Sequence, residues 1–197
     1  MKMKIIILVL GIITVLFVIS QLYLISSQKN IETYSYNVLK SYKNIEIRQY
    51  EANLFASIKL TTNNFKQNSS KGFSILAGYI FGGNDKKEKI SMTSPVKMSL
   101  KDSTTMMFLV PKKYTKENLP IPNNTSIKFE NIPAKKVAAI SFGGWANNSK
   151  VESYRSKLIA GLKSRGVEYT DSFFFFGYNA PMEIFNRKNE IIVELKE

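Results

Sequence analysis

The chain predicts an α+β fold: two β-α-β-β units joined into a distorted antiparallel β-barrel with two helices, preceded by one transmembrane helix. Three observations carry this. An uncharged run of 21 residues, Ile5 to Ile25, stands at the amino terminus. The rest of the chain matches itself in three ordered stretches at offsets of 82 to 86 residues. Within each matching half, period-2 apolar stretches flank a stripe with helical spacing.

The amino terminus reads "MKMK" and then "IIILVLGIITVLFVISQLYLI". At 1.5 Å per residue that run makes ~30 Å of helix, the thickness of a bilayer's hydrocarbon core. A cleaved signal would have a shorter apolar region and small residues at a cut site. "SQLYLISSQ" has no such pattern, so residues 1–25 are expected to remain as an anchor. Lys2 and Lys4 favour an inside amino terminus with the domain extracytoplasmic. Lys29 and Lys40, beyond the span, weigh against that orientation, and secretion after cleavage is the alternative. Residues 26–35 read as a polar tether to a domain over 36–197.

"IEIRQYEANLFASIKL" from Ile45 falls without a gap on "IKFENIPAKKVAAISF" from Ile127. Ile45, Ala56 and Ile58 meet Ile127, Ala138 and Ile140. "ILAGYIFGG" from Ile75 then falls on "LIAGLKSRG" from Leu158, so Gly78 meets Gly161. "SPVKM" from Ser94 falls on "APMEI" from Ala180, which pairs Pro95 with Pro181. Ordered matches at a nearly constant offset indicate a duplication, with repeats of about 42–111 and 125–197.

Each half opens with strand alternation at Ile45, Ile47, Leu54, Ala56 and Ile58. Phe73, Leu76, Ala77 and Ile80 then share a helical face, which Gly82-Gly83 ends. In the second half Ser149 and Glu152 suggest a capping box, and Val151, Tyr154, Leu158 and Leu162 form the stripe that Gly166 stops. Strands are expected over Ile90–Leu100, Met106–Val110, Phe173–Ile184 and Ile191–Leu195. Pro111 to Asn124, with three prolines, connects the halves.

The net charge of +13 comes mostly from lysine, with only four arginines. That pattern reads as a solvated basic surface able to attract anionic lipid, and no nucleic-acid partner is expected. The chain lacks cysteine and histidine. Disulfides, thiolate nucleophiles, the usual zinc sites and any Ser-His-Asp triad are thereby excluded. The acids are scattered; Glu46 and Glu183 are candidates to face a groove, but no spacing pairs them. "FGGN" and "FGGW" do not open helices, so they are not phosphate cradles. No catalytic or metal residue is assigned, and the chain is not expected to be an enzyme.

"KISMTSPVKM", Lys89 to Met98, alternates like a strand with one apolar face, on which Met92 and Met98 lie. Pro95 faces the other way and marks an edge or bulge. The methionines read as packing or groove lining, with iron ligation the weaker alternative. Tyr79 is a phenolate candidate whose ordinary role is packing. "FFFF", Phe173 to Phe176, places rings on both faces of a strand. Trp145 sits at a turn.

The blocks "YKNIEIRQYEANLFAS", "GFSILAGYIFGGNDKKEKISMTSPV", "FLVPKKY", "FGGW" and "FGYNAPMEIFNRKNEIIVEL" resemble the SOUL haem-binding protein family, from about Tyr34 to Leu195. The resemblance implies the duplicated barrel and a shallow apolar groove for haem or another porphyrin. It implies binding without catalysis. Related two-fold modules in transcription regulators bind small apolar cations. In some members a histidine is proposed to ligate iron; that role transfers to no position here. The resemblance leaves apolar contact with basic groups near the propionates, and Arg48 matches the family's basic position after the first strand. The expected ligand-binding residues are Arg48, Tyr79, Met92, Met98, Phe174 and Phe176. A non-haem apolar or lipid ligand, or a partner protein in the same groove, is the alternative.

Overall fold

A computed structural model of the chain describes residues 2–27, 31–60, 65–101 and 104–196. The first helix, α1 (Lys2–Ser27), is apolar on every side, so it has no face to bury in a soluble core. Nearly all its side chains are exposed, and it is long and apolar enough to cross a membrane.

The strands are β1 (Glu32–Thr33), β2 (Tyr36–Ser41), β3 (Ile45–Tyr50), β4 (Asn53–Leu60), β5 (Thr93–Ser94), β6 (Val96–Ser99), β7 (Thr104–Leu109), β8 (Lys128–Ile132), β9 (Lys135–Gly143), β10 (Tyr169–Gly177) and β11 (Lys188–Leu195). Helix α2 (Phe65–Ile80) follows β4, and α3 (Asn148–Lys163) follows β9. Nine strands form one antiparallel sheet in the order β2-β3-β9-β11-β10-β6-β7-β4-β8, while β1 and β5 pair separately in parallel. The sheet curls into a half-barrel with β2 and β8 as edges.

The duplication is visible in the pairing. Ile58 lies opposite Met106, which lies opposite Met98. In the second half Ile140 lies opposite Ile191, which lies opposite Phe175. Met98 in turn lies opposite Phe175. Equivalent positions therefore face each other there, and a pseudo-two-fold axis passes between them. The first strand of each unit pairs with the second strand of the other: β3 with β9, β8 with β4.

That row of residues, with Ile45 and Ile127, is entirely buried under the helices. Leu76, Tyr79 and Ile80 descend from α2, and Val151, Leu158 and Leu162 from α3. Gly72 lets α2 close on the sheet: a Cβ there would stand 2.8 Å from Leu60 Cδ1. Gly82 and Gly166, both at positive φ, follow the two helices as expected.

Four expectations are corrected. Helix α3 is capped by Asn147, whose Oδ1 accepts from Lys150 N at 2.9 Å, two residues before the expected Ser149–Glu152 box. The "FFFF" strand ends at Gly177, and the residues between β10 and β11 form a loop. Pro181 lies in that loop, whereas Pro95 separates β5 from β6 inside the domain, so the two prolines are not equivalent. The expected tether does not stay free to its end: β1 pairs with β5, and Tyr34 is buried. Gln28 to Asn30 of that tether lie outside the described residues.

Candidate functional site

No helix from the described residues covers the second face of the sheet. Its buried cluster consists of Tyr34, Tyr50, Phe55, Met107, Leu109, Val137, Ala139, Phe176 and Ile192. Strand alternation puts them there: Phe173 and Phe175 point to the helices, and Phe174 and Phe176 point away. Tyr34 closes over the cluster, its ring 4.4 Å from that of Tyr50 and 5.1 Å from that of Phe55.

Arg48 rises from β3 on this face and reaches Glu190 on β11. Its Nη1 and Nη2 donate to the two carboxylate oxygens at 2.8 and 2.9 Å, a bidentate pair. Nε donates to Glu46 at 2.8 Å, and the guanidinium stacks 4.3 Å from the Tyr36 ring centre. Glu190 also accepts from Tyr178 Oη at 2.6 Å and Ser141 Oγ at 2.8 Å, and Lys188 Nζ is 3.2 Å away. Glu190 is fully buried. Burial opposes its ionisation, but the Arg48 bonds outweigh that and hold the carboxyl down at about 2. Burial likewise works against the Arg48 cation, and Glu190 reverses it, so the guanidinium stays charged.

Lys97, on β6, is buried on the same face. Its Nζ lies 4.0 Å from the centre of the Phe174 ring and 5.6 Å from that of Phe55. Burial pulls its pKa down to about 8, against the more distant pull of Glu194 and Glu130. A small cavity of ≈ 10 Å³ lies between Lys97, Phe174, Phe176, Tyr34 and Tyr50. It admits about one water, whereas pockets for flat organic ligands run to about 300–1,000 Å³. Tyr34, packed on Tyr50, Phe55 and Phe176, forms one of its walls.

Arg48, Phe174 and Phe176 thus share one face with Lys97. Tyr79, Met92 and Met98 lie on the other, beneath the helices. Tyr79 donates to Pro120 O at 2.9 Å, and burial raises its hydroxyl above the ordinary range. Met98 is packed in the core, its sulfur 3.8 Å from Ser69 Oγ. Trp145 is exposed at the surface beneath Arg187, 3.9 Å from the guanidinium. Glu46 serves Arg48, while Glu183 is buried in the β10–β11 loop and accepts from Asn179.

Sequence reasoning missed Lys97, Glu190, Tyr50 and Tyr178. A polar residue at alternate positions of a strand reads as solvent-facing when the opposite face is apolar. The signal for Glu190 was its place in "NEIIVEL", directly before Ile191, Ile192 and Val193, but its partner stands 142 residues away.

The side chains of this face are of the kinds that hold aromatic, acidic molecules, while the space between them admits about one water. Rings offer stacking, Lys97 offers a cation for a carboxylate, and Glu190 already saturates Arg48. The arrangement does not suit iron ligation: the thioether of Met98 and the hydroxyl of Tyr79 face the helix side, and burial pushes the Tyr34 hydroxyl up to about 12. Among the described residues no three acidic side chains cluster as a metal site.

A family model described as SOUL heme-binding protein matches residues 31–194. Heme-binding protein 1 of Sus scrofa is 26% identical over 174 residues, covering 82% of this chain and 92% of that protein. Heme-binding protein 1 of Xenopus laevis is 27% identical over 154 residues, covering 74% and 80%. Among solved structures, the EcmrR C-terminal domain superposes with a TM-score of 0.61 at 12% identity, over 82% of this chain and 98% of that one. A hydrolase from Listeria innocua gives 0.56 at 7%, over 80% and 94%. At those identities the two structures share the fold alone.

Proposed function

The chain belongs to the SOUL heme-binding protein family, and from that premise we propose that it binds haem or a similar flat tetrapyrrole without histidine ligation and without catalysis. The observation that carries this is the helix-free aromatic face, where the rings of Phe174 and Phe55 enclose the buried Lys97 beside Phe176 and Tyr50. The ring system stacks on those side chains once Tyr34 lifts away. Lys97 takes a propionate, and the Arg48–Glu190 pair holds β3 and β11 in place beside it. The relatives named for heme binding support the ligand class.

We further propose that α1 is a retained single-pass anchor, with Lys2 and Lys4 inside and the domain extracytoplasmic. The uncharged length of the helix supports this.

The test titrates the full chain in detergent with ferric haem and with iron-free porphyrin. Similar affinity for both is expected, because the contacts are to the ring and its carboxylates. Binding of neither rejects the tetrapyrrole reading. A strong preference for haem rejects iron-independent binding. A second reading, an apolar or lipid ligand, is favoured by the open cleft of ≈ 550 Å³ between α1 and the β10–β11 loop.

A further inference from the structure

Gln21 is the one carboxamide in the run from Ile5 to Ile25. At 1.5 Å per residue it lies about 24 Å along the helix from Ile5, within the outer part of a ~30 Å hydrocarbon core. A bare amide there is costly. Gln21 is buried, and both ends of its side chain are taken by the β10–β11 loop. Its Nε2 donates to Met182 O at 3.4 Å, and its Oε1 accepts from Ile184 N at 3.2 Å. The loop therefore touches the anchor at a level that belongs to the membrane.

The loop is built for that level. Met182 is 78% exposed, Phe185 53% and Ile184 45%; beside them the Trp145 ring is 55% exposed. An apolar group of this kind on a soluble domain marks an interaction surface. Arg187 caps Trp145, and Lys188 is half-exposed next to it. Tryptophan with basic neighbours is the composition of the headgroup layer. The cleft between α1 and the loop, lined by Phe17, Tyr23, Trp145 and Met182, is open and apolar.

We propose that the loop from Ala180 to Phe185, together with Trp145, is a membrane-seated face, fixed to the anchor through Gln21, with lipid acyl chains filling the cleft. The inference rests on α1 spanning the bilayer. It fixes the domain's attitude to the membrane, so the domain does not swing on a free tether.

Trp145 is the only tryptophan, which makes it the probe. The full chain is reconstituted into phosphatidylcholine–phosphatidylglycerol vesicles with or without bromine on the acyl chains. Bromolipid should quench Trp145 at least about twofold, as for an interfacial indole. Gln21→Leu, and separately Met182→Asp with Ile184→Asp, should abolish most of that quenching while the protein still floats with the vesicles. Flotation without quenching in the unaltered chain overturns the seated face and leaves the anchor standing. Absence of flotation overturns both. Unchanged quenching in both variants overturns the roles of Gln21 and the loop.

Discussion

Arg48 and Glu190 form a bidentate ion pair across β9, at 2.8 and 2.9 Å, with both side chains buried. Replacing Glu190 with Gln removes the buried counter-charge and leaves the guanidinium only the half-exposed Glu46 carboxylate. A loss of about 3–5 kcal/mol is expected in urea denaturation. The double variant Arg48→Met with Glu190→Leu should recover most of it, since neither charge of the pair then remains buried. A double variant as unstable as the single one would show that the pair contributes through shape and not through charge.

The same pair sets an acid limit. The Glu190 carboxyl is held at about 2 in the folded chain, against 4.5 as its ordinary value. The unfolded chain therefore binds more protons between those values. This contribution is full above pH 4.5 and is lost as pH falls toward 2. Denaturation midpoints measured across that window should fall with pH, and less steeply in the double variant.

Lys97 acts in the opposite sense. Burial lowers its pKa from 10.5 to about 8, so below pH 8 the folded chain carries the full cost of a desolvated ammonium. Between 8 and 10.5 the unfolded chain holds more protons, and stability rises with pH. Lys97→Met should raise stability at neutral pH by about 1–3 kcal/mol and remove that rise. The same variant should weaken porphyrin binding, and a variant that is stabler and binds as before would remove Lys97 from the site.

Gly78 and Gly161 match in the duplicated sequence and should respond oppositely to alanine. A Cβ on Gly161 would collide with Ile45 Cδ1, whereas one on Gly78 meets nothing within 4 Å. Gly161→Ala should cost about 1–3 kcal/mol through overpacking, and Gly78→Ala should add about 0.5–1 kcal/mol by helix propensity. Thermal denaturation of the two variants checks both signs.

The neighbours Phe174 and Phe175 separate ligand contact from folding. Phe175 is buried under the helices, so Phe175→Ala should destabilise by about 3–5 kcal/mol. Phe174 packs on the other face, and Phe174→Ala should lower porphyrin affinity about tenfold, one lost aromatic contact, with a smaller loss of stability. Equal effects of the two on binding would contradict the proposed face.

Much of the fold was legible because isoleucine and alanine recur at equivalent strand positions. Ile45, Ile58, Ile127 and Ile140 lie in one core, as the offset required. The α3 stripe of Val151, Leu158 and Leu162 is buried as its spacing implied. The site was less legible, because periodicity reports which face is apolar and not what covers the other. Lys97 alternates with Val96 and Met98 as a solvated lysine does, yet the rings of Phe174 and Phe55 enclose it. Met98 stands on the apolar side of β6 and Met92 precedes β5, outside any strand, and both pack on the side that meets the helices. Apolar contact over long separations, as between Tyr34 and Phe176, leaves no local mark.

The reciprocal pairing of β3 with β9 and of β8 with β4 has an evolutionary corollary. A single unit has no partner of its own for its opening strand, so an unduplicated ancestor of this length would complete its sheet only as a homodimer trading that strand. Carrying both units in one chain makes that exchange intramolecular, and it lets matched positions differ, as Lys97 and Phe174 do opposite Phe176 and Ser99.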